Sequence, residues 1–215
     1  MNSSLVTERV KGSAIFLAGL LAATFSGTAL VAAPMTTGGL TSQPIGHYEF
    51  CRANPAECSL RLRPTNPERM TDALWQTIRA VNTKVNAAVR PMNDIDIFGK
   101  DEVWAYPVDG VGDCEDYVLE KRRLLARSGL SLANLLITVV RKPDGEGHAI
   151  LTIRTDKGDF VLDNLTNAVR QWNETGYHFL KRQASTHTGH WVSIREGQAP
   201  LVGSVQSGST KPQAK

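Results

Sequence analysis

No Cys-x-x-Cys pair occurs in the sequence, and no histidine cluster accompanies any of its three cysteines. A structural metal site therefore has little support, since such sites need several soft ligands at short spacing. The nearest approach, His187 and His190 in HTGH, has no second ligand pair beside it. Excess charge is also scarce. The 24 Lys and Arg against 21 Asp and Glu leave a formal +3, too little to argue for nucleic acid or an anionic membrane as partner. There is no internal repeat, so a solenoid has no support. Charge is missing altogether from Ala14 to Ala33, AIFLAGLLAATFSGTALVAA, which follows Arg9 and Lys11.

A basic start, an apolar run and small residues at its end predict a secretory signal peptide over residues 1–33. Cleavage falls near Gly27-Thr28-Ala29 or Val31-Ala32-Ala33. The run is also long enough to span a bilayer, so an uncleaved anchor is the competing reading. The expected location is periplasmic or secreted, with membrane contact only through this segment. The remainder, about 180 residues, is the size of one domain with a core of its own. Its 41% hydrophobic and 21% charged content is ordinary for a globular chain.

Cys51 and Cys58 stand close together in FCRANPAEC. In an oxidising compartment they can close a short loop, and a disulfide is the reading preferred over two free thiols or half a metal site. Cys114, in GDCEDY, is then the odd thiol.

Residues 34–65 are rich in Gly, Pro, Thr and Ser and read as an extended, disulfide-stapled lead-in. From Asn66 the pattern turns helical, with Asn66 as cap and Pro67 at the first position. Met70, Leu74, Ile78, Val81, Val85 and Val89 make one apolar stripe, predicting a helix that ends before Pro91. Residues 91–113 hold Pro91, Gly99, Pro107, Gly110 and Gly112 and form a loop-rich connection. A second helix begins near Cys114 and runs to about Arg127, closed by Gly129. The period then changes to strands: 135–141, 148–155 and 159–165, with a further one near Trp191–Ile194. Helices first and an antiparallel sheet second make an α+β domain over 66–196. The tail 197–215 has little to bury and is expected to be disordered.

Cys114 sits where Gly110-Val111-Gly112 hands the chain to a helix. Free N–H groups and the helix dipole favour a thiolate there and can stabilise an oxyanion. The bland alternative is a buried structural cysteine, against which the flanking Asp113, Glu115 and Asp116 argue. If the Asp156-Lys157-Gly158 turn is a two-residue hairpin with Thr155 opposite Gly158, His148 lies diagonally across from Asp163 on one sheet face, whereas a three-residue loop would need a bulge to restore that geometry. His148 can then act as base and Asp163 can orient it.

GDCEDY with a lysine soon after, followed by GEGHAILTIRTDKGDFVLDNL, resembles the bacterial transglutaminase-like cysteine proteinase family, whose LapG-like members are periplasmic peptidases. The lead-in FCRANPAEC and the helix segment TIRAVNTKVN resemble it too, so the likeness covers roughly residues 44–195. The resemblance implies a papain-like, transglutaminase-like fold with Cys114, His148 and Asp163 as catalytic triad. It also implies calcium held by Asp113 and Glu115, with Asp116 a weaker candidate. Hard, clustered carboxylates suit that ion, although acids at a helix start also serve as plain capping groups. The expected activity is hydrolysis of an amide bond in a surface or exported protein through a thioester. Acyl transfer to an amine and a non-catalytic, calcium-responsive binding module stay open. The Cys51/Cys58 pair departs from the LapG type.

Overall fold

In chain order, β1 (Thr36–Thr41) is followed by α1 (Ile45–Ala53), α2 (Pro55–Cys58) and α3 (Asp72–Ala88). β2 (Arg90–Pro91), α4 (Asp94–Phe98) and β3 (Val111–Gly112) lead to α5 (Cys114–Arg127). β4 (Leu135–Arg141), β5 (Gly147–Thr155), β6 (Gly158–Leu162), β7 (Arg170–Gln171), β8 (His178–Ala184) and β9 (His187–Arg195) complete the computed structural model, which describes residues 34–195. The expected signal segment and tail lie outside the described residues. Among the described residues, no helix is long and apolar enough to cross a membrane.

One antiparallel sheet in the order β1-β9-β8-β4-β5-β6-β7 carries the architecture. α5 packs on β4 and β5, and α3 packs on α5. The apolar stripe of α3 (Ile78, Val81, Val85) and that of α5 (Val118, Leu125) close over Leu135, Ile137, Leu151 and Ile153. Each such side chain contributes roughly 1.5–3 kcal/mol by leaving water. A second apolar cluster, with Val140, Ile150, Val161 and Phe179, covers the other face of the sheet. The α+β reading therefore holds, with helices on an antiparallel sheet.

The β5–β6 turn has two residues, Asp156 and Lys157, with Thr155 paired to Gly158, which is the two-residue register of the two considered above. The Thr155 hydroxyl donates to the Gly158 carbonyl at 2.7 Å and accepts from Lys157 N–H at 3.1 Å. Gly158 has φ +107°, which accounts for glycine at that corner.

Two expectations need correction. α3 starts at Asp72, capped by the Thr71 hydroxyl accepting from Leu74 N–H, and not at Asn66-Pro67. Glu68 explains the difference. Its N–H donates to Arg154 O and its carbonyl accepts from Asp156 N–H, so its backbone is spent on β5. Its carboxylate accepts from Ser131 N–H and the Asn134 amide. The lead-in 34–65 is also structured. β1 pairs with β9 at the sheet edge, and α1 buries His47 and Phe50. Cys51 and Cys58 are bonded, and a loop this short contributes about 2 kcal/mol by restricting the unfolded chain.

His47 lies edge-on to Trp104 and Trp191, with ring centroids 5.2 and 5.3 Å away. Its Nδ1 accepts the Trp191 indole N–H at 3.2 Å. Burial, with help from the Arg122 charge, lowers its pKa to about 4. Between pH 6.5 and 4 the unfolded chain therefore binds the extra proton, and stability present above that window is lost as pH falls through it. The contribution reaches about 3 kcal/mol. Urea unfolding across pH 4–7 should show a shallower acid loss for His47→Gln than for the native protein. Parallel curves would remove His47 from the account.

Candidate active site

The approach to Cys114 is built by the parallel pairing of β2 with β3. Arg90 N–H donates to Gly110 O and Met92 N–H to Gly112 O, which ties the end of α3 to the start of α5. Gly112 is required here. A Cβ at that position would lie 2.6 Å from Asp116 Oδ2 and collide with it. Cys114 is the first residue of α5 and keeps a partly exposed surface.

The electrostatics at the sulfur differ from the expectation of an activated thiol. Its S–H donates to Glu115 Oε2 at 3.0 Å. Burial first, then the Glu115 charge and that hydrogen bond, push the thiol pKa well above its ordinary value, against a hydrogen bond from Ala149 N–H. A helix N-terminus is worth a fraction of a charge, and a carboxylate in contact with the sulfur is worth a whole one.

His148, near the start of β5, and Asp163, just beyond β6, are both buried. His148 Nε2 meets Asp163 Oδ1 at 2.9 Å, so the diagonal pairing inferred from the turn is realised. The carboxylate also accepts from Leu165 N–H at 3.0 Å and from the Tyr177 hydroxyl at 2.6 Å. Burial opposes its ionisation, but these donors outweigh it and hold its pKa below the usual carboxylate range. Cys114 and His148 line one cleft of about 510 Å³ together with Pro91, Met92 and Asn164. They also share a neighbouring depression with Pro44, Glu102, Trp104 and Val139. Trp104 thus borders the site, whereas Tyr106 packs on Phe50 and donates to Glu57.

Beside the thiol, carboxylate oxygens of Asp94, Asp113 and Glu115 lie within 4.8 Å of one another. Asp113 is the residue before α5, yet its side chain makes no capping bond. Its Oδ1 and that of Asp94 are buried without a hydrogen-bond partner. Burial and then Glu115 raise the Asp113 pKa to about 8, and burial also raises Glu115 and Asp94. Three crowded carboxylates, two of them with an orphaned oxygen, are what a hard divalent cation would satisfy. Asp116 is not in this group: its Oδ1 accepts from Ala105 N–H at 2.8 Å.

Sequence reasoning missed Asp94, whose only signal is the acidic run Asp94-Ile95-Asp96 inside a loop-rich stretch. It missed Tyr177, which precedes an unanticipated strand. Lys121 was noted only as a lysine after the cysteine. It is fully buried on α5 with its Nζ 5.7 Å from the ring centroid of Tyr117, and burial lowers its pKa to about 7 against the pull of Asp163.

Residues 37–199 match the family model of the bacterial transglutaminase-like cysteine proteinases. No curated protein matches. Among solved structures, calcium-bound LapG of Legionella pneumophila is 21% identical, with a TM-score of 0.49, over 74% of this chain and 86% of that one. A second LapG structure from that organism is 22% identical, with a TM-score of 0.48, over 70% and 80%. An EGTA-treated form is 21% identical, with a TM-score of 0.47, over 71% and 80%.

Proposed function

The chain belongs to the bacterial transglutaminase-like cysteine proteinase family and is a cysteine peptidase, and from that premise we propose that it cuts an exported or surface protein with Cys114, His148 and Asp163. The observation that carries this reading is the buried His148–Asp163 pair opening onto the cleft that also holds the free thiol. With Nε2 engaged by Asp163, the other ring nitrogen, Nδ1, takes the thiol proton. The sulfur adds to the scissile carbonyl carbon, and N–H groups of the first turn of α5 receive the oxyanion. Collapse breaks the C–N bond, the imidazolium proton goes to the departing amine, and a thioester remains on Cys114. Water, deprotonated by His148, then releases the acid and restores the thiol.

Asp94, Asp113 and Glu115 are proposed to hold calcium. When bound, the ion supplies positive charge that offsets the carboxylates crowding the thiol. A periplasmic or secreted location accords with the Cys51–Cys58 disulfide.

p-Nitrophenyl acetate tests the chemistry without a known protein substrate. Expected is one acetyl group on Cys114, trapped by acid quench and found by peptide mass spectrometry, which then decays to acetate. If added glycinamide captures most of the acetyl group, the activity is acyl transfer. If no acetyl-Cys114 forms, the covalent reading is wrong.

A further inference from the structure

We infer that Tyr177 is a positioning residue that locks the Asp163 carboxylate and, through it, the tautomer and tilt of His148; the inference rests on the triad reading above. Asp163 lies beyond the last residue of β6, so no strand ladder holds it. An ionised carboxylate can only accept hydrogen bonds, and left alone it rotates about its Cβ–Cγ bond. Here both oxygens are engaged. Oδ1 takes the Leu165 N–H, and Oδ2 takes the Tyr177 O–H. With those two donors on opposite oxygens, the remaining acceptor direction on Oδ1 meets His148 Nε2. His148 must then present Nε2–H to Asp163, which leaves Nδ1 unprotonated for the thiol.

The Tyr177 ring reaches the second partner as well. It stands edge-on to the imidazole, with centroids 5.8 Å apart and planes at 68°. One side chain thus contacts both members of the pair. Tyr177 is itself held. It follows Gly176 at φ +73°, its N–H donates to Thr175 Oγ1, and its ring packs on the cluster of Val140, Ile150 and Phe179. Burial and the Asp163 charge raise its pKa, so the hydroxyl stays a donor. Tyr177 and Asp163 line a hollow of about 40 Å³ with Thr166, Ala168 and Arg170, and none of these residues lines the cleft that holds Cys114. The hollow is large enough for a single water, which could replace the lost donor in Tyr177→Phe without reproducing its fixed direction. The loss in that variant is therefore partial.

The test reads His148 directly. In protein carrying ¹⁵N-histidine, at a pH where the ring is neutral, the native signals should report Nε2–H alone. Tyr177→Phe, which keeps the ring, should show a mixture of tautomers and an acetylation rate at Cys114 about tenfold lower, the scale of one hydrogen bond to a charged group. Tyr177→Leu, lacking the ring edge too, should lose more. Native tautomer signals and a native rate in Tyr177→Phe would overturn the inference, as would a slower rate with unchanged His148 signals. Asp163→Ala and His148→Ala, measured alongside, separate the two claims. If they acetylate like the native protein, the triad reading fails. If they are slow while Tyr177→Phe is not, only the role of Tyr177 fails.

Discussion

Cys114→Ala should abolish acid-trapped acetylation and peptide cleavage while melting close to the native protein, because the side chain is partly exposed at the cleft wall and only borders the apolar core, so losing one sulfur opens little buried space. His148→Ala should cost nearly as much, of order 10³-fold or more in acylation rate, since an unassisted thiol at this position is held protonated. The double variant should be no slower than either single one, because nucleophile and base act as a unit. Asp163→Asn should lose less, for the sulfur and the base remain and only the tautomer and charge support are spoiled. The direction of the pH effect follows from the thiol environment. Burial and the Glu115 charge keep the pKa of Cys114 high, so in chelator the native rate should climb as pH rises above neutrality. Acetyl-thioester mass, quantified across pH 6–9 for the native protein and the four variants, is the measurement. A native rate in Cys114→Ala or His148→Ala would dismiss the corresponding assignment.

What could be read from the residues alone divides along a physical line. Local rules carried the turn at Asp156-Lys157, the start of α5 at Cys114 and the pairing of His148 with Asp163, because each depends on neighbours a few positions away. Where distant partners decide, the reading failed. Glu68 was assigned to a helix because nothing nearby shows that Arg154 and Asp156 bind its backbone. β8, His178–Ala184, was overlooked because Lys181, Arg182 and Gln183 break the apolar alternation. Arg182 is buried against Asp159, and Gln183 accepts from Ile137 N–H and donates to Thr188 O. β1 needed the knowledge that β9 offers an edge. The thiol environment was misjudged for a similar reason: the helix dipole is visible in the order of residues, while the rotamer that brings Glu115 onto the sulfur is not.

The same acidic crowding sets the last prediction. If Asp94, Asp113 and Glu115 hold calcium, an ion that binds only the folded chain must stabilise it. At a calcium concentration about 100 times the dissociation constant, the gain is about 2.7 kcal/mol, which raises the melting temperature of a domain this size by roughly 5–10 °C. Replacing two of the carboxylates, in Asp113→Asn with Glu115→Gln, should remove the calcium shift. It should also raise the melting temperature measured in chelator, because burial and mutual repulsion already penalise these charges in the ion-free fold. That second sign is the informative one. A variant that merely damaged the fold would melt lower in both conditions, whereas relief of repulsion makes it melt higher in chelator and indifferent to calcium. Asp94→Asn should behave in the same direction with a smaller gain, since its Oδ2 still accepts from Val103 N–H and only its Oδ1 is orphaned. Asp116→Asn should keep the calcium shift, its carboxylate being committed to Ala105 N–H outside the cluster. Calorimetric scans in calcium and in chelator decide it: an unshifted native protein, or a full shift in the Asp113/Glu115 variant, would rule out a cation at this site.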